Sequence, residues 1–142
     1  MLEMYTDGSC KMSTRQGGWA WVLVDGDEDI HSVFGIAEQT TNNIMELTAL
    51  IDAITYAITT NIEVTIFTDS KYCCDGYNDW CFNWEKKRWK TSTNKKVENL
   101  ELWQKLHKLR SPKIIVEWVK GHDGNKWNEF VDDLTREYEN ND

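Results

Sequence analysis

The 142-residue sequence predicts a mixed α/β layer architecture. Three observations predict it. Apolar residues form three short strand-like segments within the first 37 positions. The apolar period then changes to three and four over residues 40–61. Further on, two short apolar runs, 63–68 and 113–119, are separated and followed by amphipathic stretches.

Residues 2–8 alternate as a strand should, and GWAWVLVD (18–25) is a second strand. The stretch between them, CKMSTRQG, is a loop. DGDED (25–29) is a turn, and residues 30–37 return as a third strand, which makes an antiparallel meander. In TTNNIMELTALIDAITYAITTN, Ile44, Leu47, Ile51, Ile54 and Ile58 mark the apolar stripe of a helix, with Thr41 or Asn42 as its N-cap. EVTIFT (63–68) is the fourth strand, and residues 70–84 read as helical. ENLELWQKLHKL (98–109) is a further helix, and Pro112, the only proline, marks the break after it. KIIVEWV (113–119) is the fifth strand, GHDGNK a loop, and residues 127–138 the last helix. No linker, repeat or low-complexity tract divides the chain, so residues 1–142 are expected to form one domain.

Composition excludes several classes. The apolar runs are too short and interrupted to span a membrane. The N-terminus has neither the basic start nor the apolar segment of a signal peptide, and strand-like sequence begins almost at once, as expected of a stand-alone protein. Cys10, Cys73, Cys74 and Cys81 lack CxxC spacing and neighbouring histidines, and two of them are adjacent. They read as reduced thiols of a cytoplasmic protein. Absence of a coiled-coil pattern leaves a monomer as the expectation. The net charge of −8 is uneven: residues 85–96, EKKRWKTSTNKK, carry six Lys or Arg against one Glu, a local +5, and the remainder carries −13. Trp80, Trp84 and Trp89 border or interrupt this run. Basic residues interleaved with aromatics fit a polyanion surface, although a solvated loop has the same composition.

Two apolar runs end in the same phrase, MYTDGS at 4–9 and IFTDSK at 66–71. If strand four lies parallel to strand one as its neighbour, about 4.8 Å away, Asp7 and Asp69 stand side by side at the carboxyl edge. Two carboxylates at that range must share a proton or hold a cation. Glu46 lies about 40° from Leu50 on the helical wheel, on the border of the apolar stripe. In NEFVDDL (128–134), Phe130, Val131 and Leu134 mark the buried side, and either Asp132 or Asp133 borders it. His122 is the only histidine near this edge. Hard oxygen donors without Cys or His favour Mg²⁺ or Mn²⁺. Two such ions ~3.5–4 Å apart activate a water and stabilise a leaving oxygen in phosphodiester cleavage. Acids and basic segment together point to a nuclease.

YTDGSC (5–10), TTNNIMEL (40–47), FTDSKY (67–72), NWEKKRWKT (83–91), LELWQKL (100–106), EWVKGHDG (117–124) and NEFVDDL (128–134) occur in an order and spacing that strongly resemble ribonuclease H of the bacterial type. The resemblance covers nearly the whole chain. It implies a ribonuclease H-like fold, a five-stranded mixed sheet with strands 1–3 antiparallel and strands 4 and 5 parallel, flanked by helices. It implies a Mg²⁺-dependent endonuclease, with Mn²⁺ as a substitute, that cuts the RNA strand of RNA–DNA hybrids and leaves 5′-phosphate and 3′-hydroxyl ends. Asp7, Glu46, Asp69 and Asp132 match the metal-binding acids, and His122 matches an accessory proton-handling group. On that pattern Asp7 bridges two ions, Asp69 and Asp132 hold the one that activates water, and Glu46 supports the one near the leaving oxygen. Cys10, Asn42 and Asn43 match contacts to the RNA strand. Thr41 and Asn99 match a pocket for a DNA phosphate. Trp80, Trp84 and Thr91 match the DNA-facing channel, which Tyr72 joins, and residues 80–96 match a basic handle.

Departures are Ser13 in the first loop, Gln39 where a basic residue is common, Lys71 beside Asp69, no glycine between Arg88 and Trp89, and Asn125, Lys126 and Trp127 after His122. None removes a metal ligand. With a separate hybrid-binding domain absent and the chain acidic, weak affinity and low processivity are expected. A catalytically silent hybrid-binding module and another nuclease of the same fold are the competing readings. The four acids speak against the first, and the NNIME phrase with the handle against the second.

Overall fold

The computed structural model describes residues 1–140. Strands β1 (Leu2–Cys10), β2 (Gly17–Asp25) and β3 (Glu28–Ala37) are followed by helix α1 (Asn42–Thr59) and strand β4 (Val64–Thr68). Then come α2 (Lys71–Asp75), a π-helical turn (Gly76–Trp80), α3 (Cys81–Lys86), α4 (Leu100–Lys108), β5 (Ile114–Trp118), α5 (Lys126–Leu134) and a 3₁₀ turn (Glu137–Asn140). The strands form one sheet in the order β3-β2-β1-β4-β5. β1–β2 and β2–β3 are antiparallel, whereas β1–β4 and β4–β5 are parallel. This is the five-stranded mixed sheet expected.

Alternation along the central strand divides the core in two. Met4 faces α1 and joins Trp21, Leu47, Leu50, Ile54, Ile66 and Trp103 in the larger cluster. Tyr5 points the other way, toward α5, with Val22, Val24 and Val131, and Phe67 packs against this smaller cluster. Tyr5 and Phe67 stack across β1–β4 with ring centroids 5.0 Å apart. Two layers of helix therefore grip the centre of the sheet, and its carboxyl edge is where α1, α5 and β1 converge.

Several boundaries differ from expectation for local reasons. Thr41 is the N-cap of α1: its hydroxyl accepts the Ile44 N–H at 3.1 Å. Ile58 does not continue the apolar stripe and is 43% exposed, because Ala57 takes the inward place in the last turn. The helical run after β4 extends to Lys86 and is interrupted by the π-helical turn. Helix α4 is shorter than 98–109, because Asn99 adopts a left-handed conformation (φ 58°) ahead of its first turn. The last helix begins one residue early, since Asn125 Oδ1 accepts the Trp127 and Asn128 N–H groups. It ends at Leu134, not 138, where the Arg136 N–H reaches only as far back as the Asp133 carbonyl and the chain tightens.

Candidate active site

Register alone brings the two TD phrases together. In the parallel β1–β4 pair Thr6 lies opposite Thr68, so Asp7 and Asp69 follow abreast. Both threonines are buried. The Thr68 hydroxyl accepts the Ser70 N–H at 3.0 Å, and the Ser70 hydroxyl caps α2 by accepting the Cys73 N–H at 3.1 Å. The chain turns away at once and leaves Asp69 at the strand end. Asp7 stays within its strand, 4% exposed, with Oδ1 accepting its own neighbour's N–H, that of Gly8, at 2.9 Å.

Glu46 arrives from α1 because Gly8 has no side chain. A β-carbon on Gly8 would stand 2.3 Å from the Glu46 nitrogen and 2.3 Å from the Met45 carbonyl carbon. The helix backbone thus rests directly on β1 at the step where Glu46 must reach inward. One oxygen each from Asp7, Glu46 and Asp69 lie within 4.8 Å of one another. Glu46 Oε1 is buried without a hydrogen-bond partner. An orphaned buried carboxylate oxygen beside two further carboxylates fits a hard divalent cation, and the donor set is all oxygen.

Electrostatics agrees with the geometry. Burial, then the charges of Glu46 and Asp69, push the Asp7 carboxyl up to about 11. Burial likewise pushes Glu46 up to about 8, against the downward pull of its hydrogen bond with Asp7. Asp69 is also raised, by burial first, while hydrogen bonds with Asp7 and Asn128 and the charge of His122 work the other way. Without metal, the folded state therefore holds protons that the unfolded chain releases above pH ~4. A raised carboxyl contributes stability that is complete below its unfolded pKa and lost as pH rises through its folded one. Metal-free protein is accordingly expected to weaken between pH 5 and 8, by up to about 1.4 kcal/mol per pH unit for each retained proton. Denaturant unfolding in chelator at pH 5 and pH 8 checks this. A divalent cation should restore more stability at pH 8, where it displaces fewer protons. Equal stability at the two pH values would contradict the buried-proton account.

Asp132 borders the same cluster from α5, and its charge acts on all three of the other acids. It lies outside the three-oxygen group, and its Oδ2 accepts from Arg136 Nη2 at 2.8 Å. Asp133 is exposed. His122 sits in the loop after β5, exposed and in the left-handed region (φ 54°). That loop presses on the site: a β-carbon on Gly121 would meet Asp69 Oδ2 at 2.7 Å. Trp118 Nε1 donates to the Asp69 carbonyl at 3.2 Å, and the Lys71 ammonium lies 4.7 Å above the Trp118 ring.

The other residues singled out in the sequence fall into two neighbourhoods. Cys10, Thr41, Asn42 and Asn43 meet where β1 ends and α1 begins, joined by the Cys10 N–H donating to Asn42 Oδ1 at 2.7 Å. Tyr72, Trp80, Trp84 and Asn99 belong to an aromatic wall built on the buried Trp103. The Tyr72 hydroxyl accepts from Asn99 Nδ2 at 3.1 Å and from Trp103 Nε1 at 3.0 Å. Ring centroids of Trp80 and Trp84 are 5.7 Å apart. These rings are therefore partly core, which the sequence pattern did not distinguish. Thr91 lies in the turn of the handle, where its N–H donates to the Lys95 carbonyl at 2.7 Å and its hydroxyl accepts the Lys95 N–H at 3.2 Å. Arg88 and Trp89 carry φ of 58° and 63° where glycine would be unstrained. Lys86, Lys87, Arg88, Lys90, Lys95 and Lys96 are all exposed, and among the described residues none is ion-paired.

Asn128 escaped the sequence reading. It is 2% exposed, acts on the Asp69 carboxyl to pull its pKa down, and leaves its Oδ1 without a partner. Its spacing of four from Asp132, on one helix face, was the available signal.

Comparisons with known proteins agree over the whole chain. The sequence profile of the RNase H family matches residues 1–139. A ribonuclease H of Novosphingobium aromaticivorans is 46% identical over 134 residues, covering 94% of this chain and 92% of that protein. A ribonuclease H of Ruthia magnifica is 43% identical over 134 residues, covering 94% and 91%. Among solved structures, a foamy viral protease-reverse transcriptase in complex with an RNA/DNA hybrid superposes with a TM-score of 0.83 at 20% identity, over 94% of this chain and 19% of that one.

Proposed function

Because this chain belongs to the ribonuclease H family of nucleases, we propose that it hydrolyses the RNA strand of RNA–DNA hybrids, leaving 5′-phosphate and 3′-hydroxyl ends. The observation that carries this reading is the convergence of Asp7, Glu46 and Asp69 within 4.8 Å, with a buried Glu46 oxygen that no protein donor satisfies. The carboxylates are arranged to bind cations, and a phosphodiester brings the charge that such cations neutralise.

Asp7, Glu46, Asp69 and Asp132 would hold two Mg²⁺ ions, with Mn²⁺ as a substitute. Such ions, when bound, supply a water acidified for attack and charge stabilisation at the phosphorus and the leaving oxygen. The chain's own groups do the rest. Asn128 holds Asp69 in orientation. His122, on an exposed loop next to Asp69, accepts and releases a proton at the rim. Cys10, Asn42 and Asn43 address the RNA strand, whose 2′-hydroxyls separate it from DNA. Thr41 and Asn99 take a DNA phosphate, and Tyr72, Trp80, Trp84 and Thr91 line the DNA side. The six exposed cations of the handle, none of them ion-paired among the described residues, favour polyanion binding over a merely solvated loop.

The test is a gel assay on a labelled RNA–DNA hybrid with Mg²⁺, Mn²⁺ or chelator, beside duplex and single-stranded RNA, with Asp7→Asn as control. Metal-dependent cutting confined to the RNA of the hybrid is expected. Cutting of duplex RNA at the same rate would overturn the substrate assignment. His122→Ala should slow turnover roughly 10- to 100-fold, in the range of a general acid–base group. Complete loss, or no change, would contradict an accessory role.

A further inference from the structure

Among the described residues, Asp132 is the one of the four acids joined to a protein cation by a salt bridge. Arg136 Nη2 donates to its Oδ2 at 2.8 Å across one helical turn, with 47% and 17% of the two side chains exposed. The carboxylate stands outside the oxygens that Asp7, Glu46 and Asp69 bring together. Its backbone is pinned. The Thr135 hydroxyl donates to the Asp132 carbonyl at 2.7 Å, and the Ser9 hydroxyl donates to the Thr135 hydroxyl at 2.9 Å. Thr135 is fully buried, and its carbonyl lies against Gly18 so closely that a β-carbon there would be 2.1 Å away. The end of α5 is thus tied to β1 and β2. Any approach of Asp132 to the other acids is a rotation of its side chain and not a movement of the helix.

We propose that Arg136 is a tethered counter-ion that competes with a divalent cation for Asp132. The site then fills in two unequal steps. Asp7, Glu46 and Asp69 would hold the first ion, since their oxygens already lie within 4.8 Å of one another. Asp132, sharing Asp69 and Asp7, would complete the second site only by exchanging the guanidinium for metal. This rests on the two-ion reading proposed above. The competition has two parts. Asp132 must give up a short charge-assisted hydrogen bond, and a fixed positive charge stands beside the incoming cation. Partial exposure keeps both modest, so the guanidinium delays the second ion without excluding it. Together they weaken the second step by roughly three- to tenfold.

The experiment is a calorimetric titration of Mn²⁺ into the protein without nucleic acid, for wild type, Arg136→Gln, Arg136→Lys and Asp132→Asn. Thermal melts at each metal concentration serve as a second readout and confirm folding. Arg136→Gln should tighten the second ion roughly three- to tenfold and change the first less than twofold. Arg136→Lys, which keeps the charge, should stay near wild type, and Asp132→Asn should lose the second step alone. A second-ion affinity that is unchanged or weaker in Arg136→Gln would overturn the proposal while leaving two ions bound. One ion at saturation in both wild type and Arg136→Gln would instead remove the two-ion reading on which it rests. One ion in wild type and two in Arg136→Gln would support the proposal.

Discussion

Asp7→Asn is expected to lower the rate of hybrid cleavage by roughly 10³- to 10⁴-fold while hybrid binding survives. The loss is several kcal/mol of charge stabilisation at the metal site, and each 1.4 kcal/mol is about tenfold in rate. Asp7 is the central acid: 4% exposed, hydrogen-bonded to the Gly8 N–H, and influenced by Glu46, Asp69 and Asp132 together. Binding survives because the six exposed cations of the handle are remote in sequence and independent of the carboxylate. The same change should have the opposite effect on stability. In chelator at pH 8, removing a buried acid from three others should raise the melting temperature by roughly 5 °C, equivalent to about 1–2 kcal/mol. A variant that melts higher, binds hybrid and does not cut would separate chemistry from folding. Undiminished turnover would sink the role of Asp7.

Gly8→Ala is expected to damage both the fold and the acid cluster with a single methyl group. Its β-carbon would fall 2.3 Å from both the Glu46 nitrogen and the Met45 carbonyl carbon, and 2.7 Å from the Met45 oxygen. All three are backbone atoms, so no rotamer relieves the overlap. Helix α1 must lift from β1, against the packing of Leu47, Leu50 and Ile54 in the larger core. Overpacking of this kind costs roughly 3 kcal/mol, which lowers the melting temperature by about 10 °C. The lift also withdraws Glu46 from Asp7 and Asp69, so metal affinity should fall together with stability. Thermal melts and Mn²⁺ titration of the variant test both. A loss of stability with full metal affinity would mean that α1 adjusts without carrying Glu46 away.

Much of the site was readable because it depends on strand order and period. Asp7 and Asp69 follow Thr6 and Thr68, which face each other once β1 and β4 are parallel neighbours. Glu46 on the border of an apolar stripe reads as half-facing the sheet, and it does reach the acids. The helical wheel left Asp132 and Asp133 equivalent and the family resemblance pointed to Asp132; packing of α5 on β1 and β2 turns the first toward the cluster and the second to solvent. Ile58 fits the stripe by spacing and is exposed, since period says nothing of where the opposing layer ends. Trp80 and Trp84 read as ligand-facing aromatics, yet they also pack on the buried Trp103.

By itself, the sequence determined the order of the main strands and helices and the meeting of Asp7, Asp69 and Glu46 at one edge. Those follow from side-chain direction along a strand or helix, a property of neighbouring residues. Tertiary structure alone decided that Gly8 seats α1, that Asn128 stands buried beside Asp69, and that Asp132 pairs with Arg136. These depend on distances of a few ångströms between elements far apart in the chain. Side-chain pattern places such elements on a common face, but only close packing fixes which atoms touch.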